Sequence, residues 1–331
     1  MKKILSFVFF IFSSFLLAQD SERPKIVATA SMIADMARTI SGDLVEVECI
    51  VPIGGDPHLH EPTPRDARLV SEADLILVNA MTFEGWLGKL IANSGTTARI
   101  DTVTRGITPI RSLTYKNAVD PHAWMDASNG LIYIENIYKA IVTLDPDNSD
   151  IYKFNYETYK AQLEDLDRYI FEKIKSLPLE KRVLITSHDA FQYYGKRYGL
   201  QLEALLGIST DADIQTSDIM RISKVISNNN IPAIFTESTI NPKVLNQLAK
   251  DHDIEIGGIL FSDSIGDKDS EAPSYLAMLR YNTDTIVEAL SREAKVNDKS
   301  DAFSMIWLIL IPLVIVFGIV VVIVVRMKPA E

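Results

Sequence analysis

The chain has very little cysteine and histidine, and each shortage restricts what it can be. Cys49 is the only cysteine among 331 residues, so no internal disulfide can form. Because no cysteine ends the N-terminal apolar segment, we also expect no lipoprotein anchor at that end. Histidine occurs only five times, yet two of the five, His58 and His60, lie one residue apart.

An excess of basic residues is also absent. Lysine and arginine number 33 against 44 aspartates and glutamates, which gives a formal net charge of -11. We therefore expect no nucleic-acid partner, because nucleic-acid binding relies on clustered basic residues. Apolar residues make up 47% of the chain, enough for a sizeable core, and the length predicts two domains or one large bilobed domain.

Both ends of the chain carry uncharged apolar segments. A lysine pair precedes a short apolar run, and we interpret residues 1–18 as a secretory signal peptide. Residues 303–325 contain no charged side chain, and at ~1.5 Å per residue a helix there would extend about 34 Å, enough to cross a bilayer. The basic tail, residues 326–331, is then cytoplasmic by the positive-inside rule. We expect a single-pass protein of the cytoplasmic membrane whose main domain is extracytoplasmic, on the periplasmic side.

Short apolar strands alternate with amphipathic helices in both halves of the chain. The predicted strands are residues 25–28, 45–51, 75–79, 98–100, 182–186, 231–235 and 254–260. The predicted helices are residues 31–40, one from about 64, 83–91, 190–198, 219–226, 242–249 and 274–290. Such alternation is typical of an α/β fold, and we expect two lobes, each with a parallel sheet of the four-stranded type flanked by helices.

Glycine and proline are missing from residues 151–176, where apolar side chains recur mostly every three or four positions. This pattern predicts a helix of about 25 residues, near 38 Å long at ~1.5 Å per residue, which we interpret as a rigid linker between lobes. An ordinary long surface helix is the alternative. The predicted organisation is an N-terminal lobe at 24–148, a linker helix at 149–177, a C-terminal lobe at 181–291 and a tether at 292–302.

Polar side chains of the metal-ligand type occupy four loops, three of which directly follow a predicted strand. The first loop carries His58 and His60, and the second repeats its Asp-Pro-His triplet at His122. The other two loops carry His188 and Asp263. Because ligands bind α/β sheets beyond the carboxyl ends of the strands, four such loops can converge on one ion. Taken alone, the first loop is equally consistent with two surface histidines.

Together these loops resemble a known family, the TroA-like (cluster A-I) substrate-binding proteins of metal-uptake ABC transporters, over about residues 24–291. The matching blocks are GDPHLHEPTP at 55–64, DPHAW at 120–124, TSHDAF at 186–191, IFTEST at 234–239 and GILFSDSIG at 258–266. The resemblance implies that His58, His122, His188 and Asp263 hold an ion between the lobes. It also implies a monomeric, non-enzymatic protein that captures zinc or manganese outside the cytoplasm and delivers it to an ABC permease in the membrane.

Four further residues are expected near the ion without ligating it. His60 stands where the family usually has tyrosine, and we expect a supporting or surface role. Glu237 matches a position near the family's site, and its alternative is a strand-end glutamate bound to backbone. Asp126 and Asp189 are candidates to orient the imidazoles, because ligating histidines usually donate their second N–H to a carboxylate or carbonyl.

The choice of metal and two other functions stay open at this level. Three imidazoles and a carboxylate suit a borderline first-row divalent ion rather than calcium or magnesium. Zinc-specific relatives often carry a His-rich loop, and residues 105–119 contain no histidine. One alternative function is a zinc-dependent hydrolase, which would need an open coordination position and a general base. The other is an adhesion protein anchored by the C-terminal segment.

Overall fold

The computed structural model describes residues 23–111, 118–229, 231–293 and 311–320. The expected signal peptide at 1–18, most of the tether and parts of the segment 303–325 lie outside the described residues. Residues 311–320 are helical. In the described ranges, none of the helices combines the length and the apolar character needed to cross a membrane.

The N-terminal lobe is a parallel sheet of four strands with helices against it. The strands are β1 (Lys25–Ala28), β2 (Glu46–Cys49), β3 (Leu75–Val78) and β4 (Arg99–Thr102). They lie in the order β2-β1-β3-β4, and every pairing is parallel. The helices are α1 (Ser31–Ser41), α2 (Pro64–Ser71), α3 (Leu87–Ser94) and α4 (Ala127–Leu144). Strand β3 is buried at every position, as its uninterrupted apolar sequence predicts.

The C-terminal lobe also combines parallel strands with helices, but its four strands form two separate pairs and not the single four-stranded sheet that was expected. Its strands are β5 (Val183–Thr186), β6 (Gln201–Ala204), β7 (Ala233–Glu237) and β8 (Glu255–Leu260). Strand β5 pairs with β6 and β7 pairs with β8, while β5 lies next to β7. The helices are α6 (Gln192–Tyr198), α7 (Thr216–Asn229), α8 (Lys243–Asp251) and α9 (Tyr275–Ser291). The α/β fold with two lobes is therefore confirmed.

Between the lobes, α5 (Ser149–Lys175) is one unbroken helix of 27 residues. Its buried face contacts α1 and α4 on one side and α9 on the other. Three of its residues, Tyr159, Leu163 and Ile170, belong to a single buried cluster that also contains Ile26 of β1 and Phe235 of β7. The linker helix is thus part of a core that runs through both lobes, which fixes the distance between them.

Two elements escaped the sequence patterns. Helix α4 has 18 residues and begins where the Asp126 carboxylate accepts a hydrogen bond from the backbone N–H of Ser128. The sequence makes Asp126 a candidate to orient an imidazole, whereas in the structure its carboxylate caps this helix. Strand β6 has four residues with the sequence QLEA, which carries no apolar run, and only Ala204 among them is buried.

Candidate metal centre

The four predicted ligand residues converge at the carboxyl ends of strands from both lobes. His58 lies in the loop after β2, His188 follows β5 and Asp263 follows β8, while His122 directly precedes a short helical turn, Ala123–Met125, before α4. One potential ligand atom from each of the four lies within 4.8 Å of the others. The side chains of His122, His188 and Asp263 are fully buried, and that of His58 is 4% exposed.

The spacing of the donor atoms matches a small coordination sphere. The Nε2 atom of His122 lies 3.1 Å from that of His58 and 3.3 Å from that of His188. The two carboxylate oxygens of Asp263 lie 3.3 Å from Nε2 of His122 and 3.2 Å from Nε2 of His188. Ligands at about 2.05 Å in a tetrahedron are roughly 3.3 Å apart, so one ion fits among these atoms at ordinary bond lengths.

The carboxylate of Asp263 is buried without conventional hydrogen-bond partners. Neither of its oxygens makes a hydrogen bond of acceptable geometry to any residue that the structure describes. The short distances to the imidazoles therefore do not reflect well-aligned N–H donors. A buried carboxylate left in this state is costly unless a positive charge compensates it. In the metal-free protein the neighbouring imidazoles at 3.2 and 3.3 Å can supply that charge by holding protons, and the donor set favours a divalent cation in their place.

Carboxylates stand behind two of the imidazoles and fix which nitrogen faces the ion. The Nδ1 atom of His122 donates to Asp120 at 2.7 Å, and the Nδ1 atom of His188 lies 2.7 Å from Glu237. The backbone N–H groups of both histidines donate to the same two carboxylates, at 2.9 and 2.8 Å. Such partners hold the ring and leave Nε2 for a metal. Glu237 was among the expected supporting residues, whereas Asp120 was missed.

The signal for Asp120 was present in the repeated Asp-Pro-His triplet. In the first copy, Asp56 accepts a hydrogen bond from the backbone N–H of His58 at 2.8 Å, as Asp120 does for His122. An aspartate that bonds the backbone two residues on is a common turn device. Each triplet is therefore a built turn that presents its histidine.

The two aspartates predicted to orient imidazoles contact other groups in the structure. Asp126 caps α4 and lies 3.6 Å from the guanidinium of Arg197. Asp189 accepts a hydrogen bond from the Gln192 amide at 2.7 Å. Asp126 thus caps a helix and Asp189 bonds a neighbouring side chain, while the carboxylates next to Nδ1 of His122 and His188 come from other residues, Asp120 and Glu237.

His60 is not one of the four residues of the ion cluster. Its Nε2 atom pairs with Asp66 at 3.0 Å, and its ring meets Trp86 edge to face at 4.8 Å between centroids. Asp66 also completes the capping box of α2 with Thr63. His60 thus ties the first ligand loop to α2.

Hydrogen bonds across the cleft hold the Asp263 loop against the N-terminal lobe. The indole N–H of Trp124 donates to the carbonyl of Ser262 at 2.8 Å. The backbone N–H of Gly54 donates to the Ser264 hydroxyl, also at 2.8 Å. These bonds flank the Asp263 side chain on both sides, so the ligand from one lobe is placed by contacts to the other.

The three histidines of the cluster have different pKa values because their surroundings differ. Burial lowers the pKa of His58 to about 3, so this imidazole is neutral. Burial opposes the charged form of His122 as well, but the nearby carboxylates of Asp120 and Asp263 outweigh it and raise the pKa to about 9. Against the same opposition, Glu237 and Asp263 raise the pKa of His188 well above its usual value. The metal-free cluster therefore holds protons where a cation would lie.

A family model described as "Zinc-uptake complex component A periplasmic" matches residues 26–289. The chain belongs to this family. Its members are substrate-binding proteins of metal ABC transporters, not enzymes, so the chain is a binding protein. The hydrolase and adhesion alternatives find no support in these comparisons.

Similar curated proteins in this family are named for manganese. The chain is 35% identical to "Manganese ABC transporter substrate-binding lipoprotein PsaA" of Streptococcus anginosus over 283 residues, covering 83% of this chain and 92% of that protein. It is 33% identical to "Manganese-binding lipoprotein MntA" of Halalkalibacterium halodurans over 276 residues, covering 83% and 91%.

Similar solved structures carry both metals in their names. The periplasmic zinc-binding protein TroA from Treponema pallidum superposes with a TM-score of 0.78 at 33% identity, covering 82% of this chain and all of that one. A manganese-bound periplasmic metal-binding protein from Candidatus Liberibacter asiaticus gives a TM-score of 0.74 at 32% identity, covering 81% of this chain and all of that one. The expectation of zinc or manganese as the carried ion is confirmed at the level of the family.

Proposed function

We propose that this protein binds one zinc or manganese ion through His58, His122, His188 and Asp263 and passes it to an ABC permease. It acts outside the cytoplasm as the substrate-binding component of that transporter. The ion is the cargo, so the site has to bind it tightly and also release it. Each lobe supplies two ligands, and a movement of one lobe relative to the other is enough to break the coordination sphere.

The observation that supports this site most strongly is the buried carboxylate of Asp263. Its oxygens lie 3.2 and 3.3 Å from two imidazole Nε2 atoms, which is close to the distance between two ligand atoms of a tetrahedral site. These oxygens lack hydrogen-bond partners among the described residues. Membership of a metal-binding family agrees with a cation at this point.

Calorimetric titration with zinc tests the assignment. His122→Ala removes a central ligand, and we expect a loss of affinity of at least about 100-fold, because the remaining donors no longer enclose the ion. His252→Ala is the matched control: His252 directly follows α8 and precedes β8, whereas Asp263 follows the opposite end of β8. Equal affinities for both variants and the wild type would overturn the assignment.

The same four donors favour zinc over manganese in affinity. Zinc accepts nitrogen-rich tetrahedral sites, and divalent zinc binds N/O ligands more tightly than divalent manganese in general. The relatives nevertheless carry both names, and supply in the cell decides which ion is loaded. Elemental analysis of protein purified without added metal, followed by competition between the two ions, separates affinity from use.

We further propose that residues 303–325 anchor the protein, with 1–18 removed as a signal peptide and 326–331 in the cytoplasm. The proposal rests on the uncharged sequence of that segment. Residues 291–302 would reach about 40 Å if fully extended at ~3.4 Å each, which keeps the metal-binding body near the membrane and a permease.

A form ending near Ala302 should stay monomeric in light scattering and bind metal with unchanged affinity. In cells, at equal abundance, it should support less metal uptake. Loss of metal binding by the purified truncated protein would overturn the anchor role.

A further inference from the structure

The segment that follows β3, residues 79–86, has an unusual backbone beside the metal centre. Ala80, Met81 and Thr82 have φ angles of 63°, 53° and 67°, all in the left-handed region. A side chain with a Cβ disfavours this region, and three consecutive non-glycine residues there need support from outside the turn.

Glu84 supplies that support. Its carboxylate accepts hydrogen bonds from the Thr29 hydroxyl at 2.6 Å, from the backbone N–H of Asn79 at 2.7 Å and from that of Ala80 at 2.9 Å. Thr29 directly follows β1, and Asn79 directly follows β3. One carboxylate therefore joins the ends of two neighbouring strands to the left-handed turn.

On one side, the turn holds the loop that carries His122. The side-chain amide of Asn79 donates to the carbonyl of Pro121 at 3.0 Å, one residue before the ligand. The same side chain accepts a hydrogen bond from the Tyr133 hydroxyl of α4, at 2.5 Å. Asn79 is fully buried, so a shift of the turn would also shift the loop that carries His122.

On the other side, the turn holds the loop that carries His58. The ring of Phe83 meets the His58 imidazole edge to face at 5.0 Å between centroids. The indole N–H of Trp86 donates to the carbonyl of Pro57 at 2.8 Å, again one residue before the ligand. Both histidines of the N-terminal lobe are thus braced by the same short segment.

We propose that Glu84 is a positioning residue for the metal site: by holding the left-handed turn, it sets the spacing between His58 and His122. This inference rests on the proposed function, because it assumes that both histidines bind the ion. The carboxylate itself makes no bond to the ion.

Glu84→Gln tests the inference with a small change of shape. The amide keeps one acceptor oxygen, and its NH₂ group faces one of the two backbone N–H groups that the carboxylate now accepts from, because those groups donate to different oxygens. We expect zinc affinity to fall about 10- to 100-fold, the range typical of residues that orient metal ligands. The visible absorption of the cobalt-loaded protein, which reports coordination geometry, should change as well. Glu135→Gln is the matched control, because Glu135 is exposed on α4 and pairs only with Lys139 among the described residues; it should leave both readouts at wild-type values.

A second variant separates positioning from general damage. Glycine carries no Cβ penalty at positive φ, so the turn in Ala80→Gly/Glu84→Gln needs less support. We expect this double variant to recover at least tenfold of the lost affinity and the wild-type cobalt spectrum.

Each outcome bears on a specific claim. Wild-type protein that does not bind zinc would overturn the proposed function itself. Wild-type affinity and spectrum in Glu84→Gln, or a loss that glycine does not restore, would overturn only the positioning role. If both variants fail to fold by circular dichroism, Glu84 serves the fold alone and the inference is likewise overturned.

Discussion

At the residue scale, the four residues that the structure brings together could be predicted from the sequence, because each follows a recognisable local pattern. His188 and Asp263 come directly after apolar strands, and His58 and His122 share the Asp-Pro-His triplet. The carboxylates that contact the imidazoles were harder to predict, because a carboxylate far away in the sequence can lie next to an imidazole while a nearer one does not. Glu237 accepts a hydrogen bond from the backbone N–H of His188, which is 49 residues away in the sequence. Only the resemblance to the family indicated that Glu237 lies near the site.

The protonation of the cluster leads to a prediction about pH. His122, with a pKa of about 9, and His188, with a raised pKa, are protonated at pH 7 in the metal-free protein, whereas His58 is neutral. A metal ion binds the neutral imidazoles and displaces those protons. Affinity should therefore rise with pH from 6 towards about 9. If the imidazoles had the ordinary pKa of about 6.5, the metal affinity would stop rising near neutral pH.

Calorimetry in buffers of different ionisation enthalpy measures this directly. We expect roughly one to two protons released per ion at pH 7, because the ligands must be deprotonated to bind. Glu237→Gln removes a carboxylate that raises the pKa of His188, so it should release fewer. Zero proton release by the wild type would show that the imidazoles are already neutral.

At the element scale, periodicity predicted the linker helix α5 but missed helix α4 and strand β6. Helix α5 was expected at 151–176 and spans Ser149–Lys175, because its apolar face is regular and unbroken. Strand β6 was missed because a four-residue strand with a polar sequence has no pattern of its own. What places it is parallel pairing with β5, which is a tertiary contact.

The packing of α4 against α5 and α9 gives a test at this scale. A Cβ added to Gly130 of α4 would lie 2.5 Å from the Tyr275 hydroxyl and 3.0 Å from Leu163. Gly130→Ala should therefore destabilise the protein, by about 1–3 kcal/mol, although alanine is the better helix former. Gly88→Ala is the control: Gly88 lies in α3 with open space around it. There the same change should be neutral or stabilising by up to about 1 kcal/mol. Urea unfolding measures both, and equal effects would contradict the packing argument.

At the scale of the whole molecule, the shared core argues for a small movement between lobes. Leu163 of α5 packs in one buried cluster with Ile26 of the first lobe and Phe235 of the second. Each lobe also has a smaller core of its own, but the shared cluster restrains the movement of one lobe against the other. A rigid helix without glycine or proline offers no soft hinge. Release of the ion then requires only a small movement that separates His188 and Asp263 from the two histidines of the N-terminal lobe.

Small-angle scattering with and without zinc tests this limit on closure. We expect the radius of gyration to change by less than about 1 Å, because the linker helix keeps the lobes at a fixed separation. A soluble form ending near Ala302 avoids any contribution from the apolar segment. A contraction of several ångströms on metal addition would show a wide hinge and contradict the shared-core account.

The central claim is that one ion binds between the lobes to His58, His122, His188 and Asp263. The most direct measurement is a crystal structure of the zinc-loaded protein with anomalous data at the zinc edge. We predict a single strong peak within about 2.0–2.2 Å of Nε2 of each histidine and of a carboxylate oxygen of Asp263. A peak bound elsewhere on the chain, or one that lacks contact with either lobe's pair of ligands, would contradict the claim.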